Sequence, residues 1–208
     1  MFSFSKAITL AALAFGTLTQ AVPLSKPDAG LVARAPDVEP RGVNTQTLQI
    51  VFNTVITDLN NAVAPLKTLT SATATVAIVQ PILVDVSNIL GNAVTVVQAL
   101  VTEPVDAVLA GTNSVLLTVP DVVYLVQTVV WVVFNTLWWV IQTVQGLTGL
   151  LQILGVIVNL VFQLIQAVID CTRPAFANQL LVAVQTIVSQ TVIVQVLNYL
   201  GIAAIPLH

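Results

Sequence analysis

The side chains able to do chemistry in this chain are few, and their spacing does not assemble them into a device. The only histidine is His208, the last of 208 residues. A Ser–His–Asp or Cys–His arrangement needs an imidazole held by a third group in a packed site, which a chain end does not provide. The only cysteine, Cys171, sits beside Asp170, where zinc would need three or four ligands. Glu103 and Asp106 are three residues apart, the spacing of an acid/base pair on adjacent turns. Thr102 and Pro104 beside them favour a helix start instead, with an acid at the positive end of the dipole. Asp58 and Asp85 stand alone, and Asp121 follows Pro120 where an N-terminal acid is ordinary. No G-x-S-x-G, phosphate-binding loop or G-x-G-x-x-G occurs. Gly146 and Gly149 form a G-x-x-G, too short for the G-x-x-x-G helix-dimer motif. The residues therefore predict a non-enzymatic protein with no catalytic, cofactor-binding or metal-binding residues.

What the chain offers instead is apolar surface. Hydrophobic residues make up 57% and charged residues 7% of it, where globular chains carry about a quarter charged. Between Val122 and Ile169 there is no charge at all. Such a stretch must be hidden in a protein core, in a bilayer, or at an interface with air, lipid or another copy. Trp131, Trp138, Trp139, Phe134 and Phe162 are the candidate interfacial or apolar-face residues. Trp131 and Trp138 are seven apart, hence on one helical face, which suits core packing and a wedge into lipid equally.

From Gly42 onward, Lys67 and Arg173 stand against Asp58, Asp85, Glu103, Asp106, Asp121 and Asp170, a net of 2 − 6 = −4. That balance excludes a nucleic-acid partner, which needs cations for a row of phosphates. It also excludes a polybasic membrane-surface patch. With one cysteine, the fold must be held by burial rather than by paired disulfides. The lone thiol is a buried small hydrophobe or, alternatively, an intermolecular disulfide. Asn44, Asn53 and Asn135 are followed directly by threonine and Asn113 by serine, so no N-glycosylation sequon arises.

The elements that must position these residues are helices broken by proline and glycine. Leu48, Phe52, Val55, Leu59 and Ala62 recur at spacings of four and three, one face of a helix over 44–62 that Pro65 stops. Ser71 is placed to cap a second helix towards Asn92, kinked at Pro81 and interrupted at Gly91. Thr102-Glu103-Pro104 opens a short helix closed by Gly111. Pro120-Asp121 opens the long uncharged region, divided near Gly146 and Gly149. Within it, Thr128, Asn135, Gln142, Gly149, Gln163 and Asp170 share one seven-residue ladder, with Val156 as its apolar rung. Gln145, Gln152, Asn159 and Gln166 form a second ladder three residues on. Together they make one narrow polar stripe on otherwise apolar helix. Asp170 to Pro174 reads as the next break, with Pro174 in the first turn of a last helix ending near Leu200. Val, Ile and Thr abound and favour strands. The runs are too long for strands, and the three-and-four spacing persists, which selects helix. The fold class predicted is all-α, an irregular bundle of about five to six helices with very apolar long C-terminal helices.

Ahead of the bundle, Lys6, the apolar run Ala7 to Phe15 and Thr19-Gln20-Ala21 read as a secretory signal peptide over 1–21. The apolar run is too short to span about 30 Å of hydrocarbon. Residues 22–42, with Pro23, Pro27, Pro36 and Pro40 among charges, read as a disordered leader or pro-segment, with Arg34 or Arg41 as processing points. The helical hydrophobic domain then covers 43–208. Val122 to Ile141 and Leu150 to Ile169 are each long enough to cross a bilayer, with a third candidate over Leu180 to Leu200. Against spans stand the missing Lys/Arg orientation signal, the amides along each span and the amphipathic first half.

In layout the chain resembles small secreted hydrophobic proteins of mushroom-forming fungi. The resemblance lies in the signal peptide, a leader bearing proline and arginine, a first half such as Gln49-Ile50-Val51-Phe52-Asn53-Thr54-Val55-Ile56-Thr57-Asp58-Leu59 and Ala64-Pro65-Leu66, and the very apolar second half. It is not a hydrophobin, which needs eight cysteines. The resemblance implies an extracellular protein of aerial hyphae, matrix or attachment, without catalytic residues. The expected function is a secreted structural or surface-active protein that self-associates and contacts lipid, membrane or another hydrophobic surface. A multispanning membrane protein and a carrier of an apolar ligand are the alternatives.

Overall fold

The computed structural model describes residues 46–111 and 115–202. The expected signal peptide (1–21), the leader (22–42) and His208 lie outside the described residues. Within them every regular element is helical: α1 (Leu48–Val63), a 3-10 turn (Ala64–Thr68), α2 (Val76–Leu100), α3 (Val105–Val108), α4 (Val119–Thr143), a second 3-10 turn (Leu147–Leu150), α5 (Leu151–Val188) and α6 (Thr191–Leu200). This is the all-α class expected, with six α-helices and two added turns, but several boundaries differ.

Helix α1 is built as its spacing dictates. Thr47 caps it, accepting from the Ile50 amide at 3.4 Å, and Leu48, Phe52, Val55 and Leu59 are buried. Pro65 turns the chain into the 3-10 segment. Helix α2 begins after Thr75, not after Ser71, and it runs through Pro81 and Gly91 to Leu100. Thr102 does not cap α3 either: its hydroxyl donates back to the Ala99 carbonyl at 3.1 Å, at the end of α2.

Helix α4 starts where Pro120-Asp121 pointed. One Asp121 oxygen accepts from the Thr118 amide at 2.8 Å and from the Thr118 hydroxyl at 2.6 Å, which closes the first turn. The region divides at Gly146, whose φ of 75° is the left-handed conformation that glycine adopts without penalty. That turn docks on the start of α2 through a bridge between Thr75 and Gln145.

The largest correction concerns Asp170 to Pro174. No break occurs there, and α5 continues through Pro174 for 38 residues. Pro174 cannot donate to the carbonyl of Asp170. Packing on both sides of it outweighs that lost bond, since Val168, Cys171 and Thr172 before it and Leu180 and Val184 after it are buried. The break falls instead at Ser189-Gln190.

Strand-favouring threonines are accommodated by back-bonding. Thr54, Thr57, Thr95, Thr128, Thr136, Thr172 and Thr186 each donate to the carbonyl four residues earlier. Valine's intrinsic penalty in helices is a few tenths of a kcal/mol, smaller than the roughly 1.5–3 kcal/mol from burying the side chain. A continuous apolar core joins α1, α2, α4, α5 and α6. Helices α2 and α5 pair most extensively, α1 lies against α2 and α4, and α6 lies against α4 and α5.

Candidate functional surface on the outer edges of α4 and α5

The polar stripe of the uncharged region becomes two outer edges, because α4 ends at Thr143 and α5 begins at Leu151. On α5, Gln152, Asn159, Gln163 and Arg173 are exposed, while Gln166 and Asp170 are half-buried. The one apolar rung, Val156, sits on the same edge and is 45% exposed. The Gln166 amide and the Arg173 guanidinium both reach Asp170 Oδ1, at 3.1 and 3.3 Å. Asp170 is thus mid-helix, and an exposed pair of this kind contributes little to stability.

On α4 the outer edge is aromatic and amide in alternation. Tyr124 and Trp131 are exposed and Trp138 is half-buried, one heptad apart, with Thr128, Asn135 and Gln142 between and beyond them. Asn135 donates to the Trp131 carbonyl at 2.8 Å, which holds that amide along its own helix. The five aromatic candidates separate by depth. Trp131 is exposed, Trp138 and Trp139 are half-buried against the core, and Phe134 and Phe162 lie within it. Only the tryptophans therefore reach an interface without a change of structure.

Cys171 faces inward, its thiol donating to the Val168 carbonyl at 3.3 Å. Burial pushes this thiol up to about 12, with the Asp170 charge adding to the rise. A disulfide between two folded copies would require local opening at this point. Asp121 is held below the ordinary carboxylate range by its two hydrogen bonds from Thr118, a helix-capping role. Among the described residues no group of three or more His, Cys, Asp and Glu gathers to hold a metal.

Two hollows lie elsewhere. A shallow groove of about 170 Å³ runs between α1 and α2, with Gln46, Thr54, Asp58 and Asn92 on its polar side. Gln46, Ile50, Thr54 and Asp58, each four residues after the last, line its α1 side. The second is an interior gap among Phe52, Val126, Val130, Val161 and Ile165, with no room for a water molecule. It offers no preformed chamber for an apolar ligand.

The side chains left outside the core add apolar surface that sequence reasoning did not single out. Val115 is 69%, Val182 63% and Tyr199 52% exposed. By length and composition three helical stretches suffice to cross a membrane: Val76–Leu100, Val119–Thr143 and Leu147–Arg173. The first was not anticipated, and the anticipated one over Leu180 to Leu200 is bent by 68° at Ser189-Gln190. No protein-family model, no curated protein and no solved structure matches this chain.

Proposed function

We propose that this chain is a secreted, non-enzymatic structural or surface-active protein of a fungal extracellular matrix or hyphal surface. It acts by association of apolar helices and by assembly at apolar–water interfaces. The observation that carries this reading is the sidedness of α4 and α5. A region without a single charge turns its amides outward and its Val, Leu, Ile and Phe inward, as a helix pair packed in water does. In lipid the outer side would be apolar and the amides would face other helices. Trp131, Val156 and Val182 share the outer surface with the amides. Adsorption at an apolar boundary removes such residues from water at about 25 cal/mol per Å², with few charges to desolvate.

Pendant-drop tensiometry on the purified, mature protein tests the reading. A rapid fall in surface tension is expected, slowed when Trp131 is replaced by Gln. A tension equal to that of buffer would overturn it. The second reading, a multispanning membrane protein, is favoured by the three long apolar helices. Retention in the pellet after alkaline carbonate extraction would establish it over the first.

A further inference from the structure

The junction of α5 and α6 holds the least satisfied group in the described part of the molecule. Helix α5 ends at Val188, α6 starts at Thr191, and the axes on either side meet at 68°. Two residues make the turn. Ser189 keeps helical backbone and its hydroxyl donates to the Thr186 carbonyl at 2.8 Å. Gln190 is extended, and its side-chain oxygen is buried without a hydrogen-bond partner, the one such side-chain atom among the described residues. A buried acceptor left unpaired is destabilising.

Helix geometry shows what the bend accomplishes. If α5 continued straight at about 100° per residue, Ile193, Val196 and Leu197 would fall on the side of Val182, Gln185 and Ser189. Those three α5-side residues are exposed, whereas Ile193, Val196 and Leu197 are buried in the bent form. The bend therefore turns the apolar side of α6 inward against α4 and α5. A straight junction would carry that side away from its own bundle. It would also place Gln190 next to Thr186 and on the same side as Gln179, both exposed, and so release its oxygen to water.

We infer that this hinge lets two copies exchange α6. In the exchanged dimer, α5 and α6 form one continuous helix over Leu151–Leu200, and each α6 fills the place beside α4 that the other copy has vacated. The occupant is a second copy of this chain because the vacated site already fits α6 and its uncharged sequence. The apolar contacts of α6 in the closed form are recovered, and the Gln190 oxygen gains water as a partner. A hinge of only two residues gives the closed form little slack, which favours exchange of this kind. The inference gives a structure to the self-association in the proposed function and rests on that reading for its role outside the cell. It is nonetheless read in bulk water, so tensiometry and dimerisation can fail separately.

Size-exclusion chromatography with light scattering on the full secreted chain, over a wide concentration range, reads the dimer fraction. Gln190→Leu removes the unpaired oxygen and is expected to weaken dimerisation about tenfold or more. Ser189→Ala strengthens helix continuity and should raise the dimer fraction. A short glycine insertion between Ser189 and Gln190 relaxes the turn and should leave monomer. Circular dichroism checks that each variant keeps its helices, and the two single substitutions remain decisive if the insertion does not fold. A dimer indifferent to both substitutions would be an ordinary face-to-face pair and would overturn the inference, as would monomer throughout.

Discussion

At the scale of single residues, Cys171 serves packing and Asp121 serves capping. Cys171 is the clearest case, because its neutral thiol is the form the core accepts. The unfolded chain ionises this group near pH 8.5 and the folded chain only at about 12. A folded value raised in this way makes stability fall as pH rises above the unfolded value, by about 1.4 kcal/mol per unit until the folded value is reached. The thiol is thus expected to resist an aromatic disulfide reagent at pH 8 until denaturant is added, and Cys171→Ala should flatten the alkaline decline in melting temperature. Asp121 has the opposite sign. Its depressed value contributes stability above the ordinary carboxylate range, which is lost as pH falls through the folded value. Thr118→Ala is expected to cost about 1 kcal/mol, measured by urea unfolding at neutral pH. Repeated at a series of acid pH values, the same unfolding experiment should show Asp121→Asn removing part of the acid-side decline. The capping role of Asp121 was legible from Pro120-Asp121. The role of Thr102 was misread, because a hydroxyl that caps the next helix can equally bond back into the last turn of the preceding one.

At the scale of elements, periodicity was a sound guide and punctuation an uneven one: Pro65, Pro120-Asp121 and Gly146 marked true boundaries, and other prolines and glycines did not. The face of α1 followed directly from Leu48, Phe52, Val55 and Leu59, and the outer edge of α5 from Gln152, Asn159 and Gln163. Those patterns report burial, the force that selects helix over strand in a valine-rich chain. Gly91 and Pro174 suggested an interruption and a break, yet both lie inside helices, as Pro81 does, because flanking buried residues outweigh a proline's one missing amide. The turn at Ser189-Gln190 has neither proline nor glycine; its trace is a shift of the apolar side, from Leu180, Val184 and Ile187 to Ile193, Val196 and Leu197. The same distinction between edge and core predicts how α4 responds to truncation. Phe134→Ala, within the core, should destabilise by about 3–5 kcal/mol. Trp131→Gln, on the outer edge, should change stability by less than about 1 kcal/mol while slowing adsorption. Equal losses of stability in the two variants, measured by denaturant unfolding, would contradict the division between them. At Gly111, an added Cβ would meet the Val115 carbonyl oxygen at 2.6 Å. Gly111→Ala should therefore destabilise the α3–α4 connection, seen as faster amide exchange in the residues flanking it.

At the scale of the whole molecule, the deciding quantity is the medium against which the apolar helices are balanced. The described bundle buries a single core and leaves a surface with few charges, amide edges and scattered large apolar side chains. The general class was legible in the sequence because charge depletion and helical spacing are collective properties that no single contact can reverse. The depth of each aromatic was not, since Phe134 and Trp131 differ by three positions along one helix and only the packing of neighbours separates them. The most direct measurement is fractionation of the native host into medium, wall and carbonate-washed membrane, with far-ultraviolet circular dichroism on the recovered protein. The account predicts recovery from medium and wall with a helical spectrum. Recovery in the carbonate-resistant membrane, or a spectrum dominated by extended backbone in fresh material, would contradict it.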